Sequence, residues 1–173
     1  MAGENVEPEL LAEISTLGHP PRVIGIFRRA DLPLGTREVT LALWHVGDPG
    51  NVGTLLRAAD AFGAGVALSA GCADPTGPKA LRASAGAIFR VPISRFDEPA
   101  GRRIALVAHG GRPLRELELE PPLVFVLGAE REGLSPDVLA AAEAATIPQP
   151  GDAESLNVAM AGTVALYELF RRG

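Results

Sequence analysis

Short apolar runs alternate with segments of helical spacing through most of this chain of 173 residues. The apolar runs predict strands at 39–46, 66–69, 104–108, 123–127 and 145–147. Between them, residues 51–62 carry apolar side chains three and four positions apart, which predicts a helix with one buried face. Further helices are predicted at 78–85, 136–144 and 155–171, each opening with proline or a capping-type residue. This alternation predicts an α/β fold with a mostly parallel sheet flanked by helices.

The first residues form a separate piece in this pattern. We predict an N-terminal extension or connector over 1–38 and one larger domain over 39–173. The extension should hold a short helix at 8–17, a break at His19-Pro20-Pro21 and a strand at 22–28, and it is too small to fold alone. The acidic N-terminus resembles no signal peptide, and every apolar run is shorter than the roughly 18 residues that suggest a membrane span. A cytoplasmic protein without membrane contact is therefore expected.

Several common ligand-binding patterns are missing. The sequence contains neither the G-x-G-x-x-G fingerprint of dinucleotide sites nor the G-x-x-x-x-G-K-[ST] loop that cradles phosphates. His19, His45 and His109 lie far apart, and no cysteine or second histidine stands at ligand spacing, so no metal site is expected. The net charge of −5 argues against indiscriminate binding to nucleic acid through bulk charge, although a local basic face is still possible.

A polar cluster follows the first predicted strand. The run Asp48-Pro49-Gly50-Asn51-Val52-Gly53 ends the strand and opens a helix that presents Asn51, Thr54 and Arg57. Asp48 and Asn51 could simply cap this helix, as such residues often do. Arg57 is the only charge in 52–59 and lies between small and apolar residues, where an arginine usually needs an anionic partner.

The last third of the chain brings a glycine turn close to a helix start. In LGAEREGLS, residues 127–135, Glu130 lies between Gly128 and Gly133. In IPQPGDAESLNVAMAGTVALYELF, residues 147–170, Ser155 and Asn157 precede an apolar helix. Unpaired backbone N–H groups at a helix start can hold a ligand, so this region is the predicted binding site.

Three ordered segments now identify a family resemblance. DPGNVGTLLRAADAFGAG, LGAEREGLS and IPQPGDAESLNVAMAGTVALYE resemble the three sequence motifs of the SpoU (TrmH-type) branch of the SPOUT RNA methyltransferases, across 41–170. The intervening KALRASAGAIFRVPI resembles the family's Ser-x-Gly stretch. The resemblance implies a C-terminal deep trefoil knot that binds S-adenosylmethionine, and a homodimer that completes the active site. It also implies methyl transfer to a ribose 2′-hydroxyl of tRNA or rRNA.

The resemblance further implies which residues contact the cofactor. Gly128 would let the backbone approach the ligand, whereas Ile147 and Leu156 would offer apolar walls to an adenine ring, unless they are core residues. The full implied cofactor set is Ala108, Leu127, Gly128, Ala129, Ile147, Pro148 and Leu156.

The implied catalytic set is Asn51, Arg57, Glu130, Ser155 and Asn157. A ribose hydroxyl must lose its proton as it attacks the methyl group, so the site must stabilise a developing alkoxide. We expect Arg57 to activate the hydroxyl electrostatically rather than as a general base, because a guanidinium stays protonated. Ser155 and Asn157 would hold the hydroxyl or the arginine. Glu130 would brace its loop, unless it is only a surface charge.

The chain departs from the family pattern in places. Many members carry Asn, Met and Ser where this chain has Ala129, Gln149 and Ala159. Many also carry an N-terminal RNA-binding domain, which residues 1–38 cannot form. The alternative function is therefore a non-catalytic RNA- or cofactor-binding dimer that needs a partner for its substrate. The sequence leaves open the RNA, the nucleotide and any role in antibiotic resistance.

Overall fold

The structure is a computed structural model that describes residues 7–15, 23–151 and 154–172. The chain divides into two compact units, residues 1–31 and 32–173. In the first unit, helix α1 spans Pro8–Ile14 and a 3-10 turn spans Arg29–Asp31. The strand expected at 22–28 is wrong for the described residues 23–28, which form no strand. The break predicted at His19-Pro20-Pro21 lies outside the described residues.

The second unit is built on a seven-stranded sheet of order β3-β2-β1-β6-β4-β7-β5, and all of its strand pairs are parallel. The strands are β1 Val39–Leu43, β2 Gly65–Leu68, β3 Ile93–Arg95, β4 Arg102–Leu106, β5 Arg112–Pro113, β6 Leu123–Leu127 and β7 Glu143–Thr146. This confirms the predicted α/β class. The resemblance-based knot concerns how the chain threads its own loops, and it stays a prediction.

The predicted domain boundary at residue 38 also stays a prediction. Leu34 forms an isolated bridge with Ile93 of β3, and the Gly35 N–H donates to the Ile93 carbonyl at 3.1 Å. These contacts explain why the compact unit already begins at Leu32.

Helices cover the sheet, with bounds that differ from the sequence pattern. They are α2 Pro49–Ala61, α3 Pro78–Ser84, α4 Pro136–Ala140 and α5 Val158–Phe170, with 3-10 turns at Ala87–Phe89 and Leu114–Glu116. The predicted helix at 136–144 is too long, because β7 already starts at Glu143. The predicted helix at 155–171 starts too early, because the side chain of Asn157 caps α5.

The central strands are buried on both faces, as in other parallel sheets covered by helices. Leu41, Leu43 and Phe125 belong to the larger core cluster, which includes buried residues of α2 and α5. The alternate strand residues Ala42 and Val126 belong to a second cluster, against which Val138 of α4 packs. This alternation follows from the period of two along a strand.

Glycine sets how closely α2 approaches its neighbours. A Cβ at Gly53 would lie 2.4 Å from the carbonyl oxygen of Ala80 in α3, and a Cβ at Gly162 of α5 would lie 2.5 Å from Leu55 Cδ2 in α2. The close packing positions the start of α2 beside the start of α5. Among the described residues, no helix is both long and apolar enough to span a bilayer.

The end of α5 is held by an ion-pair cluster that gives the first prediction. Arg171 Nη2 donates to Glu168 Oε1 at 2.7 Å, Arg172 also donates to this carboxylate, and Arg172 Nη1 donates to the Leu117 carbonyl at 2.6 Å. Hydrogen bonds from Arg171 and then Arg172 lower the pKa of Glu168 from 4.5 to about 2. A lowered carboxyl pKa stabilises the fold above pH 4.5, and this contribution is lost as the pH falls toward 2.

We therefore expect Glu168→Gln to lower the free energy of unfolding by about 1 kcal/mol at pH 7, a value kept small because solvent screens the arginines. The difference from the wild type should shrink as the pH falls from 4.5 toward 2. Urea denaturation of both proteins across this pH range measures it. A difference that stays constant with pH would contradict the assignment.

Candidate active site

A cavity of about 530 Å³ opens at the carboxyl ends of β4, β6 and β7. Open parallel sheets bind ligands at this edge, because the loops that follow the strands meet there. Four segments line the cavity. Three of them are the end of β4 with its following loop (106–109), the end of β6 with its following loop (127–131, Gly133 and Leu134), and the loop after β7 (Ile147 and Gln149). The fourth is the start of α5 with the residues before it (154–158 and Ala161).

Most of the implied cofactor residues line this cavity. They are Ala108, Leu127, Gly128, Ala129, Ile147 and Leu156. Pro148 is not among the lining residues, although both of its neighbours are. Ile147 lines the cavity and also packs against the main core, so its contact with a cofactor stays a prediction.

Several lining residues were not in the implied cofactor or catalytic sets, including His109, Gln149 and Glu154. The side-chain oxygen Oε1 of Gln149 is buried and has no hydrogen-bond partner in the structure. A buried unpaired acceptor is costly, so this atom fits a ligand that brings an N–H donor into the cavity. The family comparison marks Gln149 only as a departure from Met, and it does not show that the amide oxygen is buried and unpaired.

The glycine turn after β6 is packed closely against itself. A Cβ at Gly128 would lie 2.5 Å from the backbone carbon of Gly133. Ala129 and Gly133 exchange backbone hydrogen bonds at 3.2 and 3.0 Å, which closes the loop on itself. Gly128 is thus required by the packing of its own loop, whose close approach shapes the cavity wall.

Three of the five implied catalytic residues form one hydrogen-bonded network. Asn51 Nδ2 donates to Glu130 Oε1 at 2.7 Å, and Asn157 Nδ2 donates to Asn51 Oδ1 at 3.1 Å. Glu130 and Asn157 line the cavity, and Asn51 joins them from the first turn of α2. The network therefore connects three segments that are distant in sequence at one side of the cavity.

The helix starts that carry the two asparagines are both capped. Asp48 Oδ1 accepts from the Asn51 N–H at 3.0 Å, and Asn157 Oδ1 accepts from Ala159 N at 2.9 Å. Lys79 Nζ donates to Asp48 Oδ2 at 2.6 Å. This hydrogen bond, with that from the Asn51 N–H, lowers the pKa of Asp48 below its usual value. An ionised Asp48 is the stronger cap, so Lys79 helps to hold Asn51 in place.

Arg57 and Ser155 stand apart from this network. Arg57 is exposed on α2 beside Thr54, and within the described ranges no hydrogen bond or ion pair joins it to another residue. Ser155 lines the cavity and precedes the Asn157 cap, so it does not open the helix as we expected. Among the described residues, no group of three or more His, Cys, Asp or Glu side chains could hold a metal ion.

Comparison with known proteins finds a matching family model and similar sequences. The model of the SpoU rRNA methylase family matches residues 38–167. An uncharacterised tRNA/rRNA methyltransferase of Synechocystis is 35% identical over 96% of this chain and 66% of its own length. The 23S rRNA (uridine(2479)-2′-O)-methyltransferase of Streptomyces viridochromogenes is 31% identical over 95% of this chain and 66% of its own.

Solved structures show the same similarity. The SpoU methyltransferase AviRb of Streptomyces viridochromogenes in complex with AdoMet matches with a TM-score of 0.79 at 28% identity, over 98% of this chain and 72% of that one. An AdoMet-bound rRNA methyltransferase of Sinorhizobium meliloti matches with a TM-score of 0.73 at 35% identity, over 82% and 59%. The chain spans just under two thirds of the length of the two sequence relatives described above.

Proposed function

The chain belongs to the SpoU rRNA methylase family, and from this premise we propose that it transfers a methyl group from S-adenosylmethionine to a ribose 2′-hydroxyl of RNA. The observation that carries the proposal is the Asn51–Glu130–Asn157 network at the side of the cavity. It joins a preformed ligand cavity to oriented polar groups. Ribosomal RNA is the first substrate to test, because two similar enzymes are named as 23S rRNA 2′-O-methyltransferases.

The cavity fits S-adenosylmethionine in size and in chemistry. Its volume of about 530 Å³ is in the range of small-molecule sites. Leu127, Ile147 and Leu156 supply apolar walls for the adenine ring. The unpaired Oε1 of Gln149 would accept a hydrogen bond from an N–H of the cofactor. When bound, the cofactor supplies an electrophilic methyl group on its sulfonium.

The network leaves defined groups for the RNA. Each asparagine amide has two N–H bonds, and Asn51 and Asn157 each use one of them within the network. The second N–H of each amide can donate to the ribose hydroxyl or to a neighbouring phosphate. Glu130 fixes the orientation of the Asn51 amide, since it accepts from Nδ2 while Asn157 donates to Oδ1. This bracing supports the predicted role of Glu130.

Arg57 would supply the positive charge that the hydroxyl needs as it becomes an alkoxide. Its guanidinium is exposed and unpaired within the described residues, so it can bind the phosphate next to the target ribose and polarise the hydroxyl. Ser155, at the cavity, would hold the hydroxyl in line with the methyl group.

We further propose that the enzyme acts as a homodimer, with the second copy completing the site. The side chains of Met160, Val164, Tyr167 and Phe170 on α5 are 58%, 40%, 56% and 69% exposed. Their spacing of three and four places them along one apolar stripe, which a monomer would leave in water. A second copy of α5 matches such a stripe, because twofold interfaces bring the same surface together.

The dimer gives the second prediction. Val164→Arg places a charge in the centre of the stripe and should convert the protein to a monomer at micromolar concentration, because a buried unpaired charge is costly. Sedimentation velocity measures the mass. Ala140→Arg, which adds the same charge at an exposed position of α4, should leave the dimer intact. A wild type that sediments as a monomer would refute the dimer proposal.

The activity itself is tested by calorimetry with S-adenosylmethionine, followed by transfer of a radiolabelled methyl group to bacterial RNA. We expect a one-to-one complex per chain. The labelled nucleotide should resist alkaline cleavage, because 2′-O-methylation removes the attacking hydroxyl. Cofactor binding without transfer to any RNA would support the non-catalytic alternative. A folded protein that binds no cofactor would refute the methyltransferase proposal. If RNA is the substrate, the proposed location is the bacterial cytoplasm, where ribosomal RNA is made.

A further inference from the structure

Two aromatic rings follow β1 and stack on each other. The centroids of Trp44 and His45 lie 4.6 Å apart, with an angle of 11° between the ring planes. Trp44 also contacts Phe96, and the centroids of these two rings lie 5.1 Å apart in a tilted arrangement. Trp44 is half-buried and His45 is exposed. The imidazole of His45, which stacks on Trp44, is therefore exposed to solvent.

The backbone holds His45 in an uncommon conformation. Its φ is +53°, in the left-handed region that residues other than glycine rarely adopt. The His45 N–H donates to Ser69 Oγ at 2.9 Å, and the Trp44 N–H donates to the Leu127 carbonyl at 2.8 Å. Backbone strain of this kind concentrates at functional sites, where it fixes the direction of a side chain.

His45 borders a second hollow, here called the outer hollow, of about 630 Å³. Its lining residues are His45, Gly47, Asp48, Asn51, Gly71 and 129–132. It shares Ala129, Glu130 and Arg131 with the cofactor cavity. The hydrogen bond between Asn51 and Glu130 therefore lies where the two meet. A group bound in the outer hollow would lie next to the proposed reaction centre.

The groups around the outer hollow suit a nucleobase better than a phosphate. Asp48, Glu130 and Glu132 line it with one cation, Arg131, and Lys79 also pairs with Asp48. The balance of the lining charges therefore favours a neutral group over an anion. Nucleobases carry N–H donors on their edges, which carboxylates accept, and flat faces that stack on aromatic rings. Gly71 lies beside the imidazole, since a Cβ there would be in ordinary van der Waals contact with ring atoms of His45 at 3.5 Å.

We propose that the outer hollow is a nucleobase subsite in which His45, backed by Trp44, stacks on a base of the substrate RNA within one nucleotide of the methylated ribose. The inference rests on the proposed function for the identity of its ligand. His45 is thus a residue that positions the substrate and sets specificity, separate from the cofactor cavity and the five catalytic candidates.

The test uses two substitutions at one position. Asn tolerates the left-handed conformation but removes the aromatic ring, so His45→Asn should raise the KM for RNA by about 10- to 100-fold, the range expected for loss of one base stack. The Kd for S-adenosylmethionine should not change. His45→Phe keeps an aromatic face without ring nitrogens and should restore the KM to within about threefold of the wild type. If Phe does not restore the KM in a variant that still binds S-adenosylmethionine as the wild type does, stacking is refuted, because a merely polar role would then explain the loss.

A second readout does not need catalysis. Trp44 is the sole tryptophan of the sequence, so its fluorescence reports on its stacked neighbour. Titration with nucleosides, which carry no phosphate, should quench this fluorescence in the wild type and in His45→Phe, but not in His45→Asn. A wild type that methylates RNA, with no quenching and no KM change in His45→Asn, would overturn the subsite and leave the proposed function standing. Quenching that depends on His45 in a protein without methyltransferase activity would instead support the subsite and contradict the proposed function.

Discussion

Arg57→Ala should slow methyl transfer to RNA by about 100- to 1,000-fold, the usual cost of removing one group that stabilises charge in the transition state. The affinity for S-adenosylmethionine should stay within about twofold of the wild type, because Arg57 does not line the cofactor cavity. Stability should change little, since Arg57 is exposed and has no partner among the described residues. The combination of lost rate and intact cofactor binding is the expected signature of this residue.

Single-turnover kinetics with saturating cofactor measures the rate of transfer directly. Arg57→Lys keeps the charge but loses the planar fork, so it should retain an intermediate rate. Arg115→Ala, at another exposed arginine, is the matched control and should behave as the wild type. If Arg57→Ala transferred methyl groups at the wild-type rate, Arg57 would not be the residue that stabilises the alkoxide, and another cation would have to do so.

The sheet could be predicted where its strands are buried on both sides, because burial requires continuous apolar runs. Leu123–Leu127 of β6 is buried throughout and was predicted at its correct bounds. The strands that the sequence did not reveal are β3 and β5, and both lie at the edges of the sheet. β5 consists of Arg112 and Pro113, and proline is tolerated at sheet edges because an edge strand needs fewer N–H donors. An edge strand needs no apolar run, so no run marks it.

The residues of the candidate site could be predicted from the sequence, but their hydrogen bonds and the cap of α5 could be predicted only in part. The family resemblance supplied Asn51, Glu130 and Asn157, and the structure joins them through two hydrogen bonds. Local spacing could not show which residue caps α5, because Ser155 and Asn157 are both good caps. The stack of Trp44 on His45 was not predicted, because a left-handed residue after a strand has no sequence signal apart from glycine or asparagine.

The second large effect is expected from filling the cofactor cavity. Ala108 lies in the loop after β4, is exposed, and lines the cavity. A phenylalanine there would occupy space that the cofactor needs without entering the core. We expect Ala108→Phe to weaken S-adenosylmethionine binding by about 100-fold, which corresponds to about 2.8 kcal/mol. Methyl transfer at low cofactor concentration should fall in the same proportion, whereas the KM for RNA should stay unchanged.

The other end of the same strand offers the control. Ala100 precedes β4, so it lies at the amino edge of the sheet, away from the cavity, and it is also exposed. Ala100→Phe adds the same ring at an equally accessible position and should bind the cofactor as the wild type does. Calorimetry on both variants separates loss of cavity space from a general effect of added apolar surface. Equal affinities in the two variants would mean that the cofactor binds elsewhere, because a ligand within the cavity must compete with a phenyl ring for its volume.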